Sequence, residues 1–193
     1  MASFGAGGSW GTMPRPVALT GTPGTGKSRV AAALAPSLRS IEVGELAMTW
    51  GFARPLGRGV EVDLPRLQEA VRRRRARLPY DLVVGHLAHL LPLRDVLVLR
   101  CQPEELARRL RSARRGSRAD RQANYVSEAL DTVLREAIGP GRRVWEVDTT
   151  GRTVTEVADM VTRRMRERGP SDYGQVDWLS DPSVTAHLLD PGP

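Results

Sequence analysis

The chain holds one cysteine, Cys101, and one lysine, Lys27. A single thiol excludes an internal disulfide and fits a reducing compartment, so the expected location is cytoplasmic. No stretch approaches the roughly 18 consecutive apolar residues of a membrane span. The most apolar region, residues 81–100, is broken by His86, His89, Pro92, Arg94 and Asp95. Membrane partners are therefore not expected. Residues 1–13 lack a basic segment followed by an apolar one, so they are not expected to be a secretory signal. The leader over residues 1–14 reads as flexible or added sequence, with Met13 an alternative start.

What is present is enough for one globular domain. The chain has 193 residues, 40% of them hydrophobic, and can bury a real core. Its formal net charge is +7. A basic balance of this size points to a polyanionic partner, RNA or nucleotides, or else to arginine-rich solvated helix faces. Of the 29 basic residues only Lys27 is a lysine. An ammonium is a compact charge on a flexible stem, which a planar guanidinium cannot copy. The chain keeps lysine at one place, and that place is a phosphate-binding motif.

Hydrophobic patterning predicts strands at residues 16–20, 40–43, 80–84, 95–100 and 143–147. Helices are expected at residues 27–38, 45–50, 64–77, 104–111, 125–138 and 153–168, with Asp63 capping the third. Residues 51–59, with Pro55 and three glycines, read as a loop, and residues 113–121 as an Arg-, Gly- and Ser-rich break. Strands that are apolar throughout and alternate with helices predict an α/β fold, three-layered, with a parallel central sheet. Residues 169–193 read as a C-terminal tail, pinned by Trp178 and Leu179.

Residues 21–28, GTPGTGKS, match G-x-x-x-x-G-K-[ST] between an expected strand and helix. Glycines let successive N–H groups turn inward as an anion nest. The following helix aims its positive end at the phosphates. Lys27 is expected on the β- and γ-phosphates, and the Ser28 hydroxyl on Mg²⁺. ATP and Mg²⁺ are thus the expected cofactors, with Lys27 drawn as an exposed loop residue.

This loop, VGELA (43–47), GHLAHLLP (85–92), VLVLR (96–100) and DTTG (148–151) together resemble the adenylate kinase 6 family. The resemblance spans residues 16–179. It implies a P-loop kinase domain over residues 15–168, with an NMP-binding segment at 42–65 and a small lid at 114–122. It implies phosphorylation of AMP by ATP, an ATPase activity, and a role in maturation of the small ribosomal subunit with a ribosomal protein or rRNA as partner. By position, Gly24, Thr25, Gly26, Lys27, Ser28 and Arg29 match the ATP-binding loop, Arg115 the lid arginine, and His86 the histidine of an acid-x-His motif. Lys27, His86 and Arg115 form the expected catalytic set. Two positions depart from the pattern. Val84 stands where the acid of acid-x-His is expected, and Met48 where an arginine for the AMP phosphate is frequent. Arg54 or Arg58 are the substitutes at hand. The alternative functions are an assembly ATPase with little AMP kinase activity, or another small-substrate P-loop kinase.

Other side chains carry weaker signals. His86 and His89, three apart without nearby ligands, make a poor zinc site. The run from Arg72 to Arg75 suits a solvated helix end or RNA. Among Arg108, Arg109, Arg111, Arg114, Arg115, Arg118 and Arg121, one or two are expected over the migrating phosphoryl group. Cys101 reads as an inert packed thiol. Thr149, Thr150 and Gly151 follow the last strand, at the edge expected to border adenine.

Overall fold

The computed structural model of the protein describes residues 15–57 and 59–190. The expected leader over residues 1–14, Met13 included, lies outside the described residues, as do Arg58 and residues 191–193. In chain order the elements are β1 (Val17–Thr20), α1 (Lys27–Leu34), β2 (Ser40–Glu42), α2 (Val43–Thr49), β3 (Ala53–Leu56), β4 (Gly59–Val62), α3 (Leu64–Arg74), β5 (Leu82–Val84), β6 (Asp95–Arg100), α4 (Pro103–Ser112), α5 (Arg118–Ala129), α6 (Thr132–Ala137), β7 (Arg143–Asp148), α7 (Val154–Glu167) and α8 (Pro182–Leu189).

Five strands form one sheet in the order β2–β5–β1–β6–β7, every neighbour parallel. Parallel strands need crossovers, and here the crossovers put helices on both faces. The strand alternation divides the core accordingly. Val17, Leu19, Leu82, Val84, Leu97 and Leu99 join Val30 and Leu34 of α1 and Val157, Val161 and Met165 of α7. Ala18, Val83, Val96 and Val98 join Leu46 of α2, Leu67 and Val71 of α3, and Leu134 and Ala137 of α6. Because both faces are covered, the strands read as unbroken apolar runs. The expected three-layer α/β architecture is the one found.

Three local expectations are corrected. Residues 51–59 were expected as a loop, but β3 and β4 form an antiparallel ribbon, with Pro55 opposite Val60. Proline is tolerated because a two-stranded ribbon consists of edge strands. The helix expected from residue 125 starts at Arg118, fixed by a capping box between Ser117 and Asp120. That helix does not run on to residue 138: it stops at Ala129, Asp131 adopts φ 57, and α6 begins anew.

Residues after α7 pack onto the domain. The Glu146 N–H donates to the Asp172 carbonyl (3.0 Å), and the Asp172 N–H to the Val144 carbonyl (2.9 Å), beside β7. Val184 of α8 is fully buried with Tyr125 and Ala129 of α5. Trp178 packs on this cluster, whereas Leu179, expected to help pin the segment, is 45% exposed.

A buried polar node ties these parts together. Arg100, 1% exposed, ends β6 and bonds Glu128 of α5, Glu146 of β7 and Asp131 between α5 and α6. A carboxylate left buried without its cation loses far more than a surface pair is worth. Arg100→Met is therefore expected to destabilise the fold by about 3–5 kcal/mol in urea denaturation. Arg73→Met, breaking the exposed pair with Glu69, should leave the midpoint nearly unchanged.

Candidate functional site

The phosphate-binding motif lies between β1 and α1, at the carboxyl edge of the sheet, where open α/β folds place their ligands. Its backbone leaves no room for side chains at the first turn. A Cβ on Gly21 would come 2.3 Å from the Leu99 carbonyl oxygen. At Gly26 the space is open, but φ is 99, a conformation that L side chains rarely adopt. Thr25 is buried and donates its hydroxyl to the Thr22 carbonyl (3.0 Å). Thr22 in turn donates its hydroxyl to Glu128.

Lys27 is not an exposed loop residue. It is 9% exposed and donates to the Gly21 carbonyl (2.7 Å) and the Thr22 carbonyl (3.0 Å). Desolvation pulls its pKa down to about 8; the Glu128 and Glu42 carboxylates pull it up, and Arg115 lowers it further. The ammonium is held over the loop's own carbonyls at an energetic disadvantage that an entering phosphate dianion would relieve. Next to it, Ser28 is exposed and donates its hydroxyl to Glu42 Oε1 (2.8 Å).

Lys27, Ser28 and Glu42 line one cleft of about 800 Å³. Residues 23–29, Glu42, Gly85 and His86 form one side of its lining. Arg108, Arg109 and Arg115 contribute cations, Glu105 a carboxylate, and Thr149, Arg152, Thr153, Val154 and Val157 also line it. All the expected site residues, Gly24, Thr25, Gly26, Lys27, Ser28, Arg29, His86 and Arg115, line this cleft. Arg111, Arg114, Arg118 and Arg121 do not line it. Arg109 is already committed: it bonds Glu105 (2.6 Å) and the Thr149 carbonyl (2.7 Å), clasping α4 to the turn after β7. Arg115 is exposed, in a turn where Arg114 has φ 50 and Gly116 φ 70.

The two histidines separate. His86 is exposed at the cleft, and desolvation and the Lys27 ammonium lower its pKa. His89 is 2% exposed and bridges Thr20 Oγ1 (2.9 Å) and Glu136 (2.8 Å), a structural strut between β1 and α6. No group of three or more His, Cys, Asp or Glu suited to a metal occurs among the described residues. Cys101 is fully buried and its thiol is pushed up to about 12, chiefly by desolvation, so it is inert.

In the segment over residues 42–65, Met48 is 41% exposed. Arg54, one of its two substitutes, is tied across the ribbon to Glu61 (2.5 Å) and does not line the cleft. It lines a second cavity of about 450 Å³ instead, with Phe52, Glu61 and Asp63. The other substitute, Arg58, lies outside the described residues. Of the basic run, Arg72 and Arg73 pair with Glu69, and Arg74 stacks on Trp50 at 5.0 Å.

Glu42, Glu128 and Arg152 escaped the linear reading as site residues. Only Glu42 left a usable signal: it ends a strand of the same parallel sheet as β1, and such ends converge at the ligand edge.

The chain is similar in sequence and fold to known proteins. Residues 17–131 match a family described as "AAA domain". A protein of Thermococcus onnurineus named "Putative adenylate kinase" is 33% identical over 167 residues, covering 86% of this chain and 92% of that protein. One of Archaeoglobus fulgidus with the same name is 37% identical over 172 residues, with 86% and 92% covered. A gluconokinase from Sinorhizobium meliloti superposes with a TM-score of 0.51 at 18% identity, over 81% of this chain and 94% of that one, and shows the shared fold.

The lowered pKa of Lys27 makes two outcomes testable. Lys27→Met should lose turnover by roughly 10²-fold or more, while its melting temperature equals or exceeds that of the unaltered protein, because a buried charge is removed. Phosphates should restore the ammonium, so ATP binding should take up protons above about pH 8. Its affinity should then fall as pH rises from about 8 toward 10.5. Titration calorimetry in buffers of different ionisation enthalpy measures this uptake, which Lys27→Met should abolish.

Proposed function

We infer function from family: the chain belongs to the AAA-domain P-loop family of these archaeal relatives, and we propose that it is a kinase moving a phosphoryl group from ATP to AMP. The carrying observation is that Lys27, Ser28, Arg115 and His86 all line a single cleft. Phosphoryl transfer demands little covalent chemistry from a protein; it needs positioning and cations around the migrating group. In this reading the loop N–H groups and Lys27 hold the β- and γ-phosphates. Arg115, in the turn between α4 and α5, covers the group in transfer. The side lined by Thr149 to Val157 receives the base. The NMP-binding segment, residues 42–65, presents the acceptor, and the lid over residues 114–122 excludes water as it closes. The Ser28 hydroxyl beside a carboxylate is a hard-oxygen pair that fits Mg²⁺, whose chemistry there is to neutralise phosphate charge.

The relatives' name supports AMP as acceptor. Water is the competing acceptor, which would make the protein an ATPase. Purified protein with ATP and Mg²⁺ should convert AMP to ADP, two ADP per ATP consumed, with little inorganic phosphate. Equal ADP and phosphate whether or not AMP is present would replace the kinase reading with the ATPase one.

The family resemblance also suggests a ribosomal role, with rRNA or a small-subunit ribosomal protein as partner and the cytoplasm as the site of action. The +7 charge supports a polyanion. The arginines of residues 72–77 support it less than their number suggests, since Arg72 and Arg73 are paired with Glu69. RNA held through phosphates must weaken steeply with salt, whereas a protein partner held by apolar contacts should not. Fluorescence anisotropy with a labelled rRNA fragment and a labelled ribosomal protein, across salt and with or without ATP, separates them. Binding of neither at low salt would end this reading.

A further inference from the structure

Position 84 lacks the carboxylate expected near the metal, and the structure has one immediately beside it. We propose that Glu42 supplies the metal-side carboxylate of this nucleotide site, in place of position 84, and with Ser28 forms the protein's half of the Mg²⁺ site. The proposal rests on the P-loop kinase reading and names how its metal is held.

Strand pairing carries the argument. Glu42 ends β2, Val84 ends β5, and the two are direct partners in register. Partners in a parallel pair project to the same face, with strands about 4.8 Å apart. Ile41 and Val83 belong to the opposite core layer. Glu42 and Val84 therefore share the face that α1 covers. Val84 is 1% exposed and packs in the apolar layer containing Val30 and Leu34 of α1. Glu42, one strand further out, is exposed at the cleft and reaches the Ser28 hydroxyl at 2.8 Å. The acid has moved sideways by one strand and remains at the same edge of the sheet.

The surroundings of Glu42 leave its carboxylate to this task. It occupies the N-cap position of α2 but makes no capping bond. Gly85 adjoins it: a Cβ there would crowd Val43 at 3.2 Å and stand in ordinary contact, 3.8 Å, with Glu42 Oε2. Among the described residues one other carboxylate lines the cleft, Glu105, and it is held by Arg109 and the Gly151 N–H. Glu42 makes no ion pair among the described residues. Mg²⁺ commonly keeps several waters and takes one or two protein oxygens besides phosphate. A serine hydroxyl and one carboxylate meet that need.

The test separates metal from nucleotide. The binding of ADP and of a non-hydrolysable ATP analogue is measured by calorimetry in EDTA and across a Mg²⁺ titration, with melting temperature followed in parallel. Glu42→Gln should melt like the unaltered protein without ligand and bind nucleotide at least as well in EDTA. It should need roughly 10-fold or more Mg²⁺ to reach half of the metal-dependent stabilisation. Glu42→Asp should fall between them. Val84→Asp added to Glu42→Gln should recover part of the Mg²⁺ response, since it returns an acid to the same face. An unchanged Mg²⁺ midpoint in Glu42→Gln overturns the assignment, as does an equal loss of binding in EDTA. If the unaltered protein bound no nucleotide with or without metal, the kinase reading would fall with it. Mg²⁺-dependent binding by the unaltered protein, with Glu42→Gln identical, would overturn the Glu42 assignment alone.

Discussion

The phosphate loop rests on a carboxylate it does not contain. Glu128 of α5 is buried and accepts from the Thr22 hydroxyl, from Arg100 Nε (2.8 Å), from the Cys101 N–H (3.1 Å) and from Trp178 Nε1 (3.2 Å). Four parts of the chain meet at one side chain: the loop, the end of β6, α5 and the segment after α7. The arrangement is stable because Arg100 neutralises it and three carboxylates share the guanidinium. A half-satisfied buried network would be worse than an apolar one, and none of the described buried side chains lacks a partner. The same carboxylate is the larger of the two that sustain the charge of Lys27. The loop's shape and its electrostatics thus depend on one interaction, and α5, which begins at the proposed lid, is mechanically joined to both.

Lys27 then sits between opposing demands. Burial disfavours its charge, and Glu128 and Glu42 restore part of it. An arginine would carry a permanent charge and a broad plane into the same space, so it could not be tuned this way. This gives a physical reason for the sole lysine in a chain otherwise built with arginine. Under the proposed Mg²⁺ assignment, it also connects the metal side to the lysine side. Glu42 touches Ser28 and helps set the protonation of Lys27, so the two neighbouring residues of the loop respond to one acid.

Much of this was legible in the sequence. The parallel sheet followed from strands such as residues 95–100 that are apolar on both faces, and the phosphate loop from its spacing. Asp63 caps α3 as its position implies. Other features left a signal that went unread: Ser117 and Asp120 are a capping pair, hidden inside a stretch that composition alone marked as a break. The β3–β4 ribbon was masked by Pro55 and its glycines, which edge strands tolerate. The Glu128 node left no signal at all. Its partners lie as far as 106 residues away in the chain, and no local pattern encodes a contact at that range. Glu42 lies between these cases. Its sequence position is ordinary, and only the register of β2 against β5 gives it meaning.

The arginine-rich composition takes on a different sense in three dimensions. Arg143 and Arg168 neutralise the fully buried Asp95 at the start of β6. Arg142 donates to the carbonyls of His89 (2.6 Å) and Leu91 (3.0 Å), closing the turn that carries the strut to β1. Arg109 clasps α4 to the turn after β7, and Arg164 pairs with Asp172 beside β7. These guanidiniums act as multi-pronged ties for loop ends and buried acids, work for which a planar donor fork is better suited than an ammonium. Net charge therefore overstates what a polyanion would meet. A guanidinium that is fixed to a buried acid contributes to the long-range field but offers few donors to a phosphate. Under the proposed function, recognition of phosphate falls instead to the cleft, which Arg108, Arg115 and Lys27 all line. The structural ties and the cleft cations are thus largely different residues, with Arg109 in both groups.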